Sequence, residues 1–231
     1  MYKRQQLLRS LQLLALRQGI AVSGSASIQP VDVVTLSLGY YHEQPADAAF
    51  DALLLGPLAL LGRLGATVVT SAGNDATVRP GYPAAFTPHD GGPVPIEHDA
   101  LPVVAVGAKN PNNSVALFSN DGPWVRTLRP GAALVSSYPQ TYNASGQPAA
   151  ELVTADGEWR SAIDPDDFSA GFAVWSGTSF AAPVLAGEIA ARLADVYAAG
   201  DRAVDAGAAV DRGWKALAAV TASDPDPLVR P

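Results

Sequence analysis

A serine at the start of an apolar helical segment is the residue in this sequence best suited to chemistry. Residues 177–183 read Gly-Thr-Ser-Phe-Ala-Ala-Pro and lead into an apolar run at 184–193. Small neighbours leave the Ser179 hydroxyl uncrowded, the helix dipole places positive potential beside it, and Pro183 fits a first helical turn. This setting suits a nucleophile, but Thr178 or Ser179 can also be an ordinary helix N-cap.

The composition limits the class of protein. The chain has 231 residues, of which 22 are acidic and 15 basic, a net charge of −7, and 48% hydrophobic residues. So much apolar surface excludes a disordered chain, and the scattered basic residues argue against a nucleic-acid binder. The sequence contains no cysteine. A disulfide scaffold, a thiolate metal site and a cysteine nucleophile are therefore excluded.

Apolar β-branched runs alternate with Ala/Leu-rich segments along the chain. The pattern predicts strands at residues 31–38, 67–70, 101–106, 115–118 and 133–135, and helices at 5–20, 45–64 and 178–197. A strand-helix-strand order predicts parallel crossover units, and hence an α/β fold with a mainly parallel sheet flanked by helices. The strand ends at 37–39 and 71–74 should then lie along one edge of that sheet.

The remaining segments complete the predicted organisation as a single partial domain. The helix at 5–20 carries Arg9 and Arg17, which makes it too polar for a signal peptide or a membrane span. Residues 1–5 match the translation of a sequencing-adapter end, which favours an assembly scar over a natural basic start. Residues 87–99 and 140–170 are interpreted as insertions, and the proline-rich residues 223–231 as a frayed tail.

Residues 177–183 resemble the serine motif of the subtilisin-like serine peptidases. Residues 71–74, Ser-Ala-Gly-Asn, resemble the strand end that carries the oxyanion-hole asparagine of that family, and residues 34–39, Val-Thr-Leu-Ser-Leu-Gly, its substrate-pairing strand. Shorter matches follow at 81–84, 101–108, 116–122 and 129–131. The resemblance covers roughly residues 31–193 and implies a subtilisin-like fold and a serine endopeptidase.

The resemblance implies a role for each matching position. Ser179 would attack the scissile carbonyl, and the Asn74 amide with the Ser179 N–H would stabilise the oxyanion. Without the serine motif, Asn74 would be better interpreted as a turn residue. The implied substrate-binding residues are Ser37, Leu38, Gly39, Ser71, Ala72, Gly73 and Gly81.

The same resemblance predicts a substrate preference. Gly81 would lie at the base of the pocket for P1, the substrate residue whose carbonyl is attacked, and the pocket walls at Leu38, Ala72 and Gly73 carry no charge. A glycine base leaves depth, so we expect a large apolar P1 side chain.

Two members of the catalytic triad have no matching motif. The family places an aspartate and then a histidine before the serine, yet this sequence contains no His-Gly pair. We expect His42, His89 and His98 to be solvated loop residues. The chain is therefore predicted to be the C-terminal part of a catalytic domain, truncated at its N-terminus and inactive as encoded.

Two alternatives remain at this stage. One is a naturally inactive or split homologue that binds peptides without turnover. The other is a nonenzymatic α/β domain in which Ser179 only caps a helix, and a large separation between Ser179 and Asn74 would favour it.

A peptide or protein substrate is the predicted partner, with no nucleic acid and no membrane. No cofactor is predicted. A structural calcium ion at Asp164, Asp166 and Asp167 is the alternative to a solvated acidic turn, but the spacing lacks the glycine and distal glutamate of a calcium loop. The resemblance implies a secreted parent protein, and the oligomeric state stays open.

Overall fold

The computed structural model describes residues 2–25, 27–141, 150–162 and 168–230. The helices are α1 (Tyr2–Val22), α2 (Ala48–Arg63), α3 (Thr178–Ala198) and α4 (Ala206–Thr221). The strands are β1 (Val33–Leu36), β2 (Thr67–Ser71), β3 (Val103–Lys109), β4 (Thr127–Pro130), β5 (Leu134–Ser137), β6 (Ala150–Val153), β7 (Trp159–Ala162) and β8 (Phe172–Trp175). Short 3₁₀ turns lie at Pro45–Asp47 and Ala84–Phe86. The described chain divides into two compact units, one of residues 1–132 with 177–231 and one of residues 133–176.

The first unit is built on a four-stranded parallel sheet in the order β1-β2-β3-β4. This confirms the predicted α/β fold with a parallel sheet. Leu36 at the end of β1 lies opposite Thr70, and Ser71 at the end of β2 lies opposite Val106. The segments that follow β1 and β2 therefore leave the sheet at the same end, as expected of parallel neighbours.

Helices cover both faces of this sheet, and the alternation of side chains along the strands explains why. Val69 of β2 packs in a core cluster with residues of α3 and α4, whereas its neighbour Val68 packs with residues of α1 and α2. Both valines are fully buried. All five residues of β2 are buried, although only Val68 and Val69 are apolar. Burial on both faces is the usual condition of a strand in a parallel sheet covered by helices.

Residues 45–63 are long and apolar enough to cross a membrane by length and composition alone. In the structure they form a 3₁₀ turn and α2, a helix whose contacts include β2 and β3. Leu54, Leu58 and Leu61 of α2 are fully buried in the cluster on that face. The segment accordingly serves as a core helix of the first unit.

The structure differs from the predicted elements of this unit at residues 115–118, and it adds a strand and a helix. Residues 115–118 do not form a strand, because only Val115 makes an isolated bridge, to Lys109, before the chain turns. Strand β4 and helix α4 were not predicted. Strand β4 has only four residues, whereas α4 has an N-cap, Asp205, and an amphipathic pattern that could have indicated it. Residues 87–99, all of them described, contain neither helix nor strand.

The tail at 223–230 is packed rather than frayed. Leu228 is fully buried in the α3/α4 cluster, and its N–H donates to the Thr221 hydroxyl at 3.2 Å. Asp224 bonds the buried Arg129 of β4 at 3.0 Å, and Arg129 also bonds Glu188 of α3 at 2.7 Å. Prolines remove backbone donors but do not prevent the burial of an apolar side chain, so the composition of the tail misled the prediction.

The second unit contains two antiparallel pairs, β5 with β8 and β6 with β7. The turn between β6 and β7 contains Gly157 at φ 84°, following Asp156, which is a sequence typical of tight hairpins. This unit includes the predicted insertion at 140–170, of which residues 142–149 and 163–167 lie outside the described residues. Asp164, Asp166 and Asp167 are among the latter.

A buried glutamine joins α1 to the start of β1 and the end of α2. The Gln18 side-chain nitrogen donates to the carbonyl oxygens of Val31 and Leu64, each at 3.0 Å, and its oxygen accepts from the Val31 N–H at 2.7 Å. Gln18 is completely buried. The glutamine thus pairs three backbone groups that would otherwise be shielded from water without partners.

We predict that Gln18→Ala lowers the free energy of unfolding by about 2–3 kcal/mol, because buried backbone groups lose their partners. Urea unfolding followed by circular dichroism measures the change. Gln12→Ala, at an exposed position of the same helix, is the matched control and should stay within about 0.5 kcal/mol of the parent. Equal urea midpoints of unfolding for Gln18→Ala and Gln12→Ala would contradict this role of Gln18.

Candidate active site

The ends of β1 and β2 and the start of α3 surround one cleft. It has a volume of about 150 Å³. All nine residues predicted from the sequence to form the site border it: Ser37, Leu38, Gly39, Ser71, Ala72, Gly73, Asn74, Gly81 and Ser179. Tyr40, Tyr41, Asp75, Tyr82, Ala84 and Thr178 complete the lining. The fold therefore gathers side chains that are up to 142 positions apart in sequence.

Thr178 fixes the side chain of Asn74. The Thr178 N–H donates to Asn74 Oδ1 at 2.8 Å, and the Thr178 hydroxyl lies 2.9 Å from the same atom. A backbone N–H can only donate, so the atom that faces it must be the carboxamide oxygen. The Asn74 Nδ2 group is consequently turned away from Thr178 and is available as a donor.

Ser179 is the second residue of α3 and is half-buried. Gly177 is the N-cap of this helix, so capping does not account for Thr178 or Ser179. Among the described residues the Ser179 N–H has no hydrogen-bond partner, as expected in a first helical turn. The Ser37 hydroxyl donates to the Ser179 carbonyl oxygen at 2.9 Å and ties the segment after β1 to α3.

The loop that carries Asn74 requires a glycine before it. Gly73 has φ 109°, a conformation that side chains disfavour, and a Cβ atom there would lie 2.2 Å from Asn120 Nδ2. The Gly73 N–H is also bonded, at 3.1 Å, to the Thr178 hydroxyl. The backbone on either side of Asn74 is therefore held close to α3.

Asn120, for which the sequence predicted no role, holds the same loop through its side chain. This buried side chain accepts from the Asp75 N–H at 3.0 Å and donates to the Ala72 carbonyl at 2.9 Å and to the Tyr41 hydroxyl at 2.7 Å. Asn120 lies within residues 116–122, which resemble the family, and this resemblance was the one sequence feature that could have indicated a role for it. Its contacts depend on the fold and could not be read from the sequence.

The histidines differ from the prediction of solvated loop residues. His42 Nε2 lies 2.9 Å from Asp51 Oδ2, and its ring stacks on Tyr82 with centroids 4.6 Å apart. His89 Nδ1 is 2.7 Å from the Thr87 carbonyl oxygen. Only His98 is exposed. The aromatic and acidic residues around His42 were too distant in sequence for this packing to be expected.

A metal site is not evident in the part of the chain that the structure describes. Within that part, no group of three or more histidine and acidic side chains is arranged to hold an ion. The aspartates proposed for calcium lie outside the described residues, so the calcium interpretation stays a prediction.

The structure combines a parallel α/β sheet with one cleft, which Asn74 of the loop after β2 and Ser179 of the start of α3 both line. A sequence model described as the subtilase family matches residues 13–220. The chain therefore belongs to the subtilase family of serine proteases.

Solved structures show the same fold. A lanthipeptide protease aligns with a TM-score of 0.57 at 17% identity, over 86% of this chain and 56% of its own. The prenylagaramide maturation protease PagA aligns with a TM-score of 0.53 at 20% identity, over 90% of this chain and 56% of its own. The self-cleaved protease domain of PatA aligns with a TM-score of 0.53 at 21% identity, over 91% of this chain and 59% of its own. The chain thus spans little more than half the length of these proteins.

We predict that Thr178→Val lowers the free energy of unfolding by about 1–2 kcal/mol. Valine keeps the shape of threonine but removes the hydroxyl that bonds both Gly73 and Asn74 in a fully buried position. Thr178→Ser retains the hydroxyl and is the matched control. Urea denaturation measures the free energy of unfolding of both variants. Equal values for the valine and serine variants would contradict a stabilising role of the Thr178 hydroxyl.

Proposed function

We propose that this chain carries the nucleophile and the oxyanion hole of a serine endopeptidase. The observation that supports it most is the fixed Asn74 carboxamide, whose Oδ1 is held by Thr178 one residue before Ser179. In this proposal Ser179 attacks the carbonyl of the scissile peptide bond. Asn74 Nδ2 and the Ser179 N–H then donate to the oxygen as it becomes negatively charged.

Each donor is oriented before the substrate arrives. Thr178 turns the Asn74 amide, and the first turn of α3 leaves the Ser179 N–H unpaired among the described residues and near the positive end of the helix dipole. Donors that need no reorganisation stabilise a developing charge more than mobile ones do. Loss of the corresponding amide in subtilisin lowers kcat roughly 10²–10³-fold.

The segment after β1 is the proposed docking strand for the substrate backbone. Ser37, Leu38 and Gly39 are exposed, follow β1 directly in the chain and line the cleft. An extended peptide can pair with such a segment through main-chain hydrogen bonds, which are independent of the peptide sequence. The neighbouring cleft then receives the P1 side chain.

The general base is the component that this chain does not supply in the proposal. The sequence has three histidines. His42 is engaged with Asp51, His89 with the Thr87 carbonyl, and within the described residues no hydrogen bond joins a histidine ring to Ser179. We accordingly propose that the base and its orienting carboxylate come from residues outside these 231.

Peptide binding without turnover is the second candidate function. Removing the base from a subtilisin lowers kcat by about 10⁶-fold, yet leaves the oxyanion hole and the binding groups in place. The intact cleft of this chain favours such binding. A natural split or inactive homologue would act in the same way.

We predict that the purified 231-residue chain hydrolyses a peptide p-nitroanilide, such as succinyl-Ala-Ala-Pro-Ala-p-nitroanilide, no faster than its Ser179→Ala variant. Without a base the serine hydroxyl keeps its proton and is a poor nucleophile. Release of nitroaniline, followed by absorbance, measures the rate. Turnover that Ser179→Ala abolishes would show that a base lies within this chain.

Binding tests the oxyanion hole separately. The probe is fluorescein-Ala-Ala-Pro-Ala with a free carboxylate, which resembles a cleavage product and directs its negative charge at Asn74. Asn74→Asp keeps an oxygen for Thr178 but opposes that charge, so we expect affinity measured by fluorescence anisotropy to fall at least ten-fold.

Asn112→Asp is the matched control for this measurement. Asn112 is exposed in the turn after β3, and its Oδ1 accepts from the Ser114 N–H, which an aspartate can also do. The control adds the same charge to the chain but not to the cleft. Equal affinities for both variants, or no binding by the parent chain, would overturn the proposed function.

A further inference from the structure

Tyr41 occupies the space that Gly81 was expected to leave open. A Cβ atom built on Gly81 would lie 3.2 Å from Tyr41 Cε1 and 3.7 Å from both Cδ1 and Cζ. Gly81 is buried, although it has no side chain, and both residues line the cleft beside Ser179. The ring of Tyr41 is therefore what covers the glycine.

Three contacts hold the Tyr41 ring in that position. Its hydroxyl donates to Asp75 Oδ2 at 2.7 Å and accepts from Asn120 Nδ2 at 2.7 Å. The guanidinium carbon of Arg79 lies 5.0 Å from the ring centroid, within the range of a cation–π contact. A side chain held at its tip and on its face loses little more freedom when a ligand binds, so it behaves as a wall.

The environment of the hydroxyl keeps it a donor. Burial, followed by the hydrogen bond to Asp75, raises the pKa of Tyr41 above its ordinary value. The proton therefore stays on the phenol throughout the neutral range, and the bond to Asp75 persists. Asn120, which supplies the second bond, is itself buried and anchored to the Ala72 carbonyl.

We propose that Tyr41 closes the deep end of the P1 pocket, so that this site takes peptides with a small P1 side chain, such as glycine, alanine or serine. The proposal rests on the proposed function and narrows its substrate class. It also revises the expectation of a large apolar P1 residue, which followed from the glycine at 81 alone. A phenylalanine ring would have to displace Tyr41 and break its bonds to Asp75 and Asn120.

The charge in the cleft favours the same conclusion over a preference for basic residues. Asp75 is the one carboxylate that lines the cleft in the described part of the chain. One of its oxygens is already bonded to the Tyr41 hydroxyl, and the Arg79 guanidinium lies on the same ring. A lysine or arginine of the substrate would therefore compete with the Tyr41 hydroxyl for this Asp75 oxygen.

The test measures binding by the 231-residue chain of fluorescein-Ala-Ala-Pro-Xaa carboxylates in which Xaa is alanine, phenylalanine or lysine. The parent chain should bind the alanine peptide at least ten-fold more tightly than the phenylalanine peptide. Tyr41→Ala should reduce that ratio at least ten-fold by strengthening binding of phenylalanine. Tyr41→Ser is a second variant, and circular dichroism establishes that each variant is folded.

Tyr197 provides a matched control. Its hydroxyl donates to Asp32 at 2.6 Å, and Arg212 lies 5.3 Å from its ring centroid, so it shares the contacts of Tyr41 without lining the cleft. Tyr197→Ala and Tyr197→Phe should leave the ratio of the two affinities unchanged. A change of that ratio in the control variants as large as in Tyr41→Ala would overturn the proposal.

The remaining outcomes distinguish a failure of the role of Tyr41 from a failure of the proposed function. Tighter binding of phenylalanine than alanine by the parent chain, or an unchanged ratio in Tyr41→Ala, overturns the role of Tyr41 and leaves the proposed function standing. If the lysine peptide binds most tightly, specificity is assigned to Asp75, and the role of Tyr41 is overturned in this case too. No binding of any peptide overturns the proposed function, and the proposal about Tyr41 falls with it.

Discussion

The contact between Thr178 and Asn74 is the interaction on which the site depends. It joins the start of α3 to the loop after β2, across 104 positions of sequence. Two donors of one residue converge on a single carboxamide oxygen, and this fixes the direction of the amide that the substrate would meet. The same threonine bonds the Gly73 N–H. Any shift of α3 relative to β2 would therefore move Ser179 away from Asn74 and distort the loop at the same time.

The core beneath the contact determines where α3 lies. The helix contacts all four strands of the parallel sheet. After Thr178, its next buried side chains are small, Ala181 and Ala182, and a Cβ atom on Gly131 would come within 3.1 Å of the Ala181 methyl group. Small residues permit the close approach, and Leu185 and Ile189 then fill the deeper core. The motif around Ser179 thus combines a chemical requirement with a packing requirement.

The wall of the cleft differs in construction from the edge that carries Asn74 and Ser179. Tyr41, which lines the cleft, is held by Asp75 and Asn120, and Asp51 holds His42, which does not line it. The Tyr82 ring, in contact with His42, joins the segment after β1 to the segment at 81–86. The Tyr41 hydroxyl is held by two hydrogen bonds and Arg79 lies on the ring face, so the ring is fixed in position.

The sequence predicted the parallel α/β fold and the meeting of the segments after β1 and β2, because parallel strands end at the same edge of a sheet. The resemblance of residues 81–84 and 177–183 to the serine peptidases added Gly81 and Ser179, and the structure brings all nine predicted residues to one cleft. The sequence prediction failed where local pattern and long-range packing disagree. The tail at 223–230 is rich in proline yet buries Leu228, and residues 115–118 are apolar yet turn. The covering of Gly81 by Tyr41 and the orientation of the site by Asn120 and Thr178 depend on tertiary contacts. Those contacts join segments 34 to 105 residues apart, and the direction of a side chain across such distances is set by packing rather than by its neighbours in sequence.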